Sequence, residues 1–174
     1  IAKRDFIYSP KISTLNFHSG ISPFYNGNKT NFHAFVNEDF HLIGGTLMYM
    51  NEKIDGGRIL AHTLPEIHVS DTAASLFFRN IEMSVKAYLD FIEEIVSNKQ
   101  LPRGIEQKES LYYYKNIDWS IKQDIKLFSL EKSKILNSFV REERIFQYFD
   151  QESVKSDIIY KNFHQSKNFE KDNN

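Results

Sequence analysis

At 174 residues, with 41% hydrophobic and 14% aromatic side chains, the chain has the material for one domain with a real core, and general disorder is excluded. Its 22 basic and 23 acidic residues leave a formal charge of −1, so no overall field draws it onto nucleic acid or an anionic membrane. The absence of cysteine removes disulfides, thiolate nucleophiles and Cys-based metal sites.

The first element is a short strand over Ser13 to His18, in "STLNFH". Strand side chains alternate, so Leu15 and Phe17 face one way while Asn16 and His18 share the other face. Loop signals follow at Ser19-Gly20-Ile21-Ser22-Pro23 and at Asn26-Gly27, and Asn28 or Thr30 is placed to cap a helix carrying Phe32, Phe35 and Val36. "LIGGTLMYM", Leu42 to Met50, reads as a strand, with Gly44-Gly45 marking a bulge or a close backbone approach. The loop "NEKIDGG" leads into a second strand within Arg58 to Ile67, paired with the first and limited by Pro65.

Ser70-Asp71-Thr72 opens a long helix to about Asn98, whose core stripe is expected to be Phe77, Ile81, Val85, Tyr88, Ile92 and Ile95. Beyond "KQLPRG", the "LYYYK" stretch reads as an aromatic strand or surface packing, and Ser120 to Phe149 reads as one or two further helices. "REER" is expected on a solvated helix face, and the residues after Asp150 as a frayed polar tail. His33 is expected in a helix-surface or half-buried structural role. His41, His62 and His68 are too scattered for ligand spacing, so no metal is expected. No apolar run reaches the roughly 18 residues a membrane-spanning helix needs, so a cytoplasmic location is the default.

Asn16 and His18 carry chemistry once a carboxylate joins them. Asp55 lies in a Gly-rich loop after a strand, where a carboxylate can reach a neighbouring imidazole. Such a trio suits transfer at a carbonyl carbon. The amide and the protonated imidazole donate to a developing oxyanion, and the carboxylate orients the imidazole and takes a proton through water.

These residues resemble the folate-dependent formyltransferases, the family that includes methionyl-tRNA, glycinamide ribonucleotide and nucleotide-sugar N-formyltransferases. Asn16-x-His18, Pro23 with Gly27, Gly44-x-Thr46 and Asp55-x-Gly57 fall in the family's order across about Phe6 to Ile67. The sequence departs from the pattern at Ile21-Ser22-Pro23, where Leu-Leu-Pro is usual, and at Asn26, where many relatives carry an Arg.

The resemblance implies a partial Rossmann-like α/β formyltransferase fold with a C-terminal helical extension. It divides the chain into 1–98, the C-terminal half of a catalytic domain, 99–150, the extension, and 151–174, the tail. It implies formyl transfer from N10-formyltetrahydrofolate to a primary amine of a small substrate, first of all a nucleotide-linked amino sugar. Asn16, His18 and Asp55 are then catalytic. Ile7, Tyr8, Met50, Asn51, Glu52, Lys53 and Ile54 hold the folate, and Ser22, Phe24, Tyr25 and Asn26 line the amine side. Hydrolysis of the same folate by a deformylase, and a non-catalytic module that binds a partner chain, are the competing readings. Neither nucleic acid nor membrane is an expected partner, and a homo-oligomer is compatible with the sequence.

Overall fold

The computed structural model describes residues 13–107 and 109–149. Strand β1 (Leu15–His18) pairs antiparallel with β3 (Gly45–Tyr49), placing Asn16 opposite Met48 and His18 opposite Thr46. β3 pairs antiparallel with β4 (Ile59–Leu64), with a register shift at Leu47/Met48. β4 in turn pairs with β6 (Arg144–Gln147), giving a four-stranded sheet in the order β1-β3-β4-β6. A second, two-stranded sheet joins β2 (Tyr25–Gly27) in parallel to β5 (Tyr112–Tyr114).

The expected pleat of β1 holds. Leu15 and Phe17 pack with Leu47, Leu60, Ala61, Ala87 and Phe91, whereas Asn16 and His18 turn towards Asp55. Gly45 marks a close approach, since a Cβ there would lie 2.2 Å from the Phe17 ring. The irregularity itself falls later in the strand, at Leu47/Met48.

Helix α1 (Thr30–Val36) starts without a side-chain cap. Lys29 occupies the cap position in a left-handed conformation, φ 52°, and neither Asn28 nor Thr30 caps the helix as the sequence suggested. The Thr30 hydroxyl donates instead to the Ser19 carbonyl, and the Asn28 backbone N–H donates to Tyr114 at 2.9 Å. His33 is buried on this helix, stacked on Tyr114 with ring centroids 3.6 Å apart, and burial lowers its pKa.

Helix α2 (Ala73–Asn98) begins where the sequence placed it, because Thr72 and Ser75 form a reciprocal capping box. Its buried face differs from the expected stripe. Ala73, Leu76, Asn80, Met83, Ser84, Ala87 and Phe91 face the core, while Ile81, Val85 and Ile92 are exposed. Small side chains at 73, 84 and 87 let the helix backbone come close to β3 and β4, which a pattern of large apolar residues does not reveal.

The segment after residue 98 is not helical throughout. Helix α3 (Ile121–Lys132) starts at a Ser120–Gln123 capping box, but β5 precedes it and β6 follows it. "REER" therefore lies at the entry to a strand rather than on a helix face. Arg141 is turned inward, and its guanidinium donates to the carbonyls of Pro65, Ile43, His41 and Phe40. Ile7 and Tyr8, and the expected tail after Asp150, lie outside the described residues.

Candidate active site

Asn16, His18 and Asp55 converge at the loop end of the β3–β4 hairpin. Asn16 Nδ2 donates to Asp55 Oδ1 at 3.4 Å, and His18 Nδ1 lies 3.4 Å from Asp55 Oδ2. The backbone N–H of Gly27 adds a third contact, donating to Asp55 Oδ2 at 3.0 Å. The Asp55 side chain retains 11% exposure and His18 6%, so the carboxylate remains within reach of the surface.

Backbone geometry places each group. Asp55 adopts a left-handed conformation, φ 50°, that swings its side chain back over β1 and β2. Gly27 has φ 96°, and a Cβ there would sit 2.0 Å from the Tyr114 carbonyl oxygen, so only glycine lets this N–H reach Asp55 while β2 pairs with β5. His18 Nε2 lies 2.9 Å from the Tyr25 carbonyl, which can only accept, so Nε2 carries a proton. Thr46, opposite His18 in the register, accepts from Ser22 N at 2.9 Å and donates to the Gly20 carbonyl at 2.6 Å, fixing the loop that follows β1.

A cleft opens beside this cluster, lined by Asn16 and by Met48 through Gly57. Met50, Asn51, Glu52, Lys53 and Ile54 all border it, and Asn16 and Asp55 form its inner end. Asn51 stiffens the loop by donating to the Gly56 carbonyl at 2.9 Å and accepting from Lys53 N at 3.0 Å. Met48, Tyr49, Met50 and Ile54 give the cleft apolar lining beside the polar Asn16, Asn51, Glu52, Lys53 and Asp55.

The four residues expected on the amine side sit elsewhere. Ser22, Phe24, Tyr25 and Asn26 are buried and do not line the cleft. Their hydrogen bonds and packing are with the loop, the strap and the core. The Ser22 hydroxyl donates to Asn26 Oδ1 at 2.7 Å, and Asn26 Nδ2 donates to Ser110 Oγ at 2.7 Å and to the Asp55 carbonyl at 3.3 Å. Phe24 belongs to the core, and the Tyr25 ring stacks at 6.0 Å on Tyr114. Burial, and then the 2.6 Å bond its hydroxyl gives Asp39, push the Tyr25 phenol far above its ordinary pKa.

Two supports were invisible in the sequence. Gln107 Nε2 donates to the Asp55 carbonyl at 2.9 Å and to the Gly57 carbonyl at 2.6 Å, and Ser110 holds Asn26. Both come from the strap that leads into β5, Gln107 about fifty residues downstream of the loop it holds and Ser110 84 residues from Asn26, and no local pattern marks them.

An α/β scaffold here brings an amide, an imidazole and a carboxylate together on a strand end and its facing loop. The formyl transferase family model matches residues 1–92, more than half of the chain, and the chain belongs to that family. The methionyl-tRNA formyltransferase of Legionella pneumophila is 34% identical over 89 residues, covering 51% of this chain and 28% of the relative. That of Bacillus cereus is 27% identical over 126 residues, covering 69% of this chain and 40% of the relative. The chain thus spans well under half the length of these relatives.

Among solved structures, the formyltransferase PseJ from Anoxybacillus kamchatkensis, in complex with UDP-4,6-dideoxy-4-formamido-L-AltNAc and tetrahydrofolate, is similar with a TM-score of 0.57. It is 24% identical, and the match covers 68% of this chain and 60% of that one. A 4-N formyltransferase from Francisella tularensis gives a TM-score of 0.58 at 18% identity, over 73% of this chain and 55% of that one. The fold is accordingly the Rossmann-like α/β fold of the formyltransferases.

Proposed function

We propose that this chain carries the catalytic end of an N-formyltransferase that takes its formyl group from N10-formyltetrahydrofolate. The observation that carries the reading is that Asn16 and Asp55 meet at the inner end of the cleft with His18 paired behind them to Asp55. The cosubstrate supplies an activated formyl carbon. In the reaction, the amine nitrogen bonds to that carbon, the bond to N10 of the folate breaks, the amine loses a proton and N10 gains one.

Each residue has a task in that exchange. The Asn16 amide borders the cleft and donates to the oxygen that becomes negative as the carbon turns tetrahedral. His18 shares the charge through the pair its Nδ1 makes with Asp55, and the bond from its Nε2 to the Tyr25 carbonyl keeps the ring turned that way. Asp55, hydrogen-bonded on both oxygens, orients His18 and accepts the amine proton through water. Met50, Asn51, Glu52, Lys53 and Ile54 hold the folate along the loop, and Ser22 and Asn26 brace the Asp55 backbone from the side of β2.

The amine we assign is that of a nucleotide-linked amino sugar. PseJ is described with a UDP-linked formamido sugar, and a formal charge of −1 supplies no field for tRNA. The test is incubation of the protein with N10-formyltetrahydrofolate and a panel of UDP- and dTDP-linked amino sugars, with formylated sugar and free formate measured separately. Formylated sugar formed in step with tetrahydrofolate is the expected result. Formate released without an amine makes the protein a deformylase, and no consumption of the folate overturns the enzymatic reading.

A further inference from the structure

The outer face of α2 is apolar along its length. Phe78, Ile81, Val85, Leu89, Ile92 and Val96 are each between 41% and 70% exposed, and Ala74 continues the line. From 78 to 96 the stripe advances 18 residues in five turns, the 3.6-residue period of a straight helix, so it runs along one edge for roughly 27 Å. The buried face of the same helix lies on the opposite side, against β3 and β4. An outer helix of an α/β protein normally presents charge to water, and an apolar band of this length marks a surface that another body covers.

We propose that the body is a second copy of this chain, laid antiparallel along the stripe about a two-fold axis at Val85. Two features of the sequence select this occupant. The spacings from Ala74 to Val96 are 4, 3, 4, 4, 3 and 4, which read the same in both directions. A two-fold at Val85 therefore sets Val85 on its own counterpart, Ile81 on Leu89 of the second copy, Phe78 on Ile92 and Ala74 on Val96. Every apolar residue meets an apolar residue, as a self-complementary two-fold interface requires.

The second feature is charge. Only one flank of the stripe is charged, and Glu82, Lys86 and Glu93 are exposed on it. In an antiparallel pair the same flank faces itself, so Glu82 of each copy comes beside Lys86 of the other, giving two symmetric ion pairs. A parallel arrangement loses this symmetry. Lys86 already binds Glu143 at 2.7 Å, and its ammonium, with three donors, has a further hydrogen to share across the interface. The other flank carries Phe77, Tyr88 and Ile95, partly buried and able to extend the contact.

Sedimentation equilibrium and light scattering on the purified protein test the assignment. A dimer is expected, and Val85→Glu, at an exposed position that a folded monomer tolerates, is expected to be a monomer with an unchanged circular dichroism spectrum. Glu82→Lys and Lys86→Glu singly are expected to weaken the dimer about tenfold, and the double exchange Glu82→Lys/Lys86→Glu to restore most of it. A monomeric wild type, in which some other partner or segment must cover the stripe, overturns the proposal. So does a dimer indifferent to Val85→Glu, or a double exchange no better than the single ones.

Discussion

The two ends of the β3–β4 hairpin are held in different ways. At the open end, Arg141 reaches in from just ahead of β6 and ties the carbonyls of Ile43 and Pro65, on either side of the hairpin, to those of Phe40 and His41. At the loop end, Arg58 ties the strap through the carbonyls of Arg103 and Gly104, but neutral amides hold the turn that carries Asp55. Gln107 and Asn26 clamp the backbone of Asp55 and Gly57, and the only charge they position is the Asp55 carboxylate. A guanidinium on carbonyls makes a rigid closure with no acceptor left over. Amides on carbonyls fix a loop without neutralising its carboxylate, which stays available to His18 and to the cleft.

That division makes opposite demands on substitutions at the two ends. Asp55→Asn is expected to lower formyl transfer about 10²–10³-fold, the usual cost of losing a charge-stabilising group, with the melting temperature near that of the wild type. Arg141→Met is expected to do the reverse. Leaving several carbonyls without a donor costs about 3 kcal/mol in denaturant unfolding, while turnover per folded molecule stays close to normal. Turnover lost in a fully folded Arg141→Met protein would show that the open end also shapes the site, and the comparison would fail.

Two buried histidines sharpen the contrast along the hairpin. His18 faces a carboxylate, but His62, on β4, donates from Nε2 to the Ser22 carbonyl at 2.8 Å and lies 2.9 Å from the Tyr148 hydroxyl. Burial pushes the His62 pKa down from 6.5 to about 4, so the unfolded chain binds more protons than the folded one between those values. Stability contributed by neutral His62 is therefore complete above pH 6.5 and is lost as the pH falls towards about 4. The loss amounts to roughly 3 kcal/mol. His62→Gln keeps a donor and an acceptor without a titrating ring. Its unfolding free energy, followed by urea titration from pH 7 to pH 4.5, is expected to fall less steeply than that of the wild type. Parallel pH profiles would remove His62 as the cause.

How far the sequence discloses this arrangement depends on where the holding groups lie. The pleat of β1, the pairing of β3 with β4 and the start of α2 are visible because local chemistry sets them: alternation around Asn16, glycines at 44 and 45, and the Thr72–Ser75 box. Asn16 and His18 alone say little, and it is the second motif, with Asp55 in its glycine-rich loop, that picks the three out. β6 cannot, since "REERIF" has the charge density of a solvated helix until Arg141 is seen to have carbonyls to bind. The core face of α2 is ambiguous because the helix is apolar on two opposite faces, and only packing decides which of them meets the sheet. Gln107 and Ser110 carry no signal at all. Their partners are distant in the chain and are backbone or amide atoms that any residue type could offer.

Gln107 gives the finest test, because it touches neither end's charge. Its side chain donates two bonds to the loop backbone on either side of Gly56, so its removal frees the peptide that sets the left-handed turn at Asp55. Gln107→Ala is expected to cost about 1–2 kcal/mol of stability, two neutral hydrogen bonds' worth. The effect on catalysis is a loss of position. If Asp55 loses its fixed direction, kcat is expected to fall about tenfold with little change in the KM for the amine, since a small misplacement of a catalytic group is felt in the chemical step. Gln107→Glu sets a carboxylate against two carbonyl oxygens and is expected to lower kcat further than Gln107→Ala. An unchanged kcat in both variants would mean that Asn26 and the Gly27 N–H hold the carboxylate by themselves, leaving the strap to contribute stability alone at the loop end, as Arg141 does at the open one.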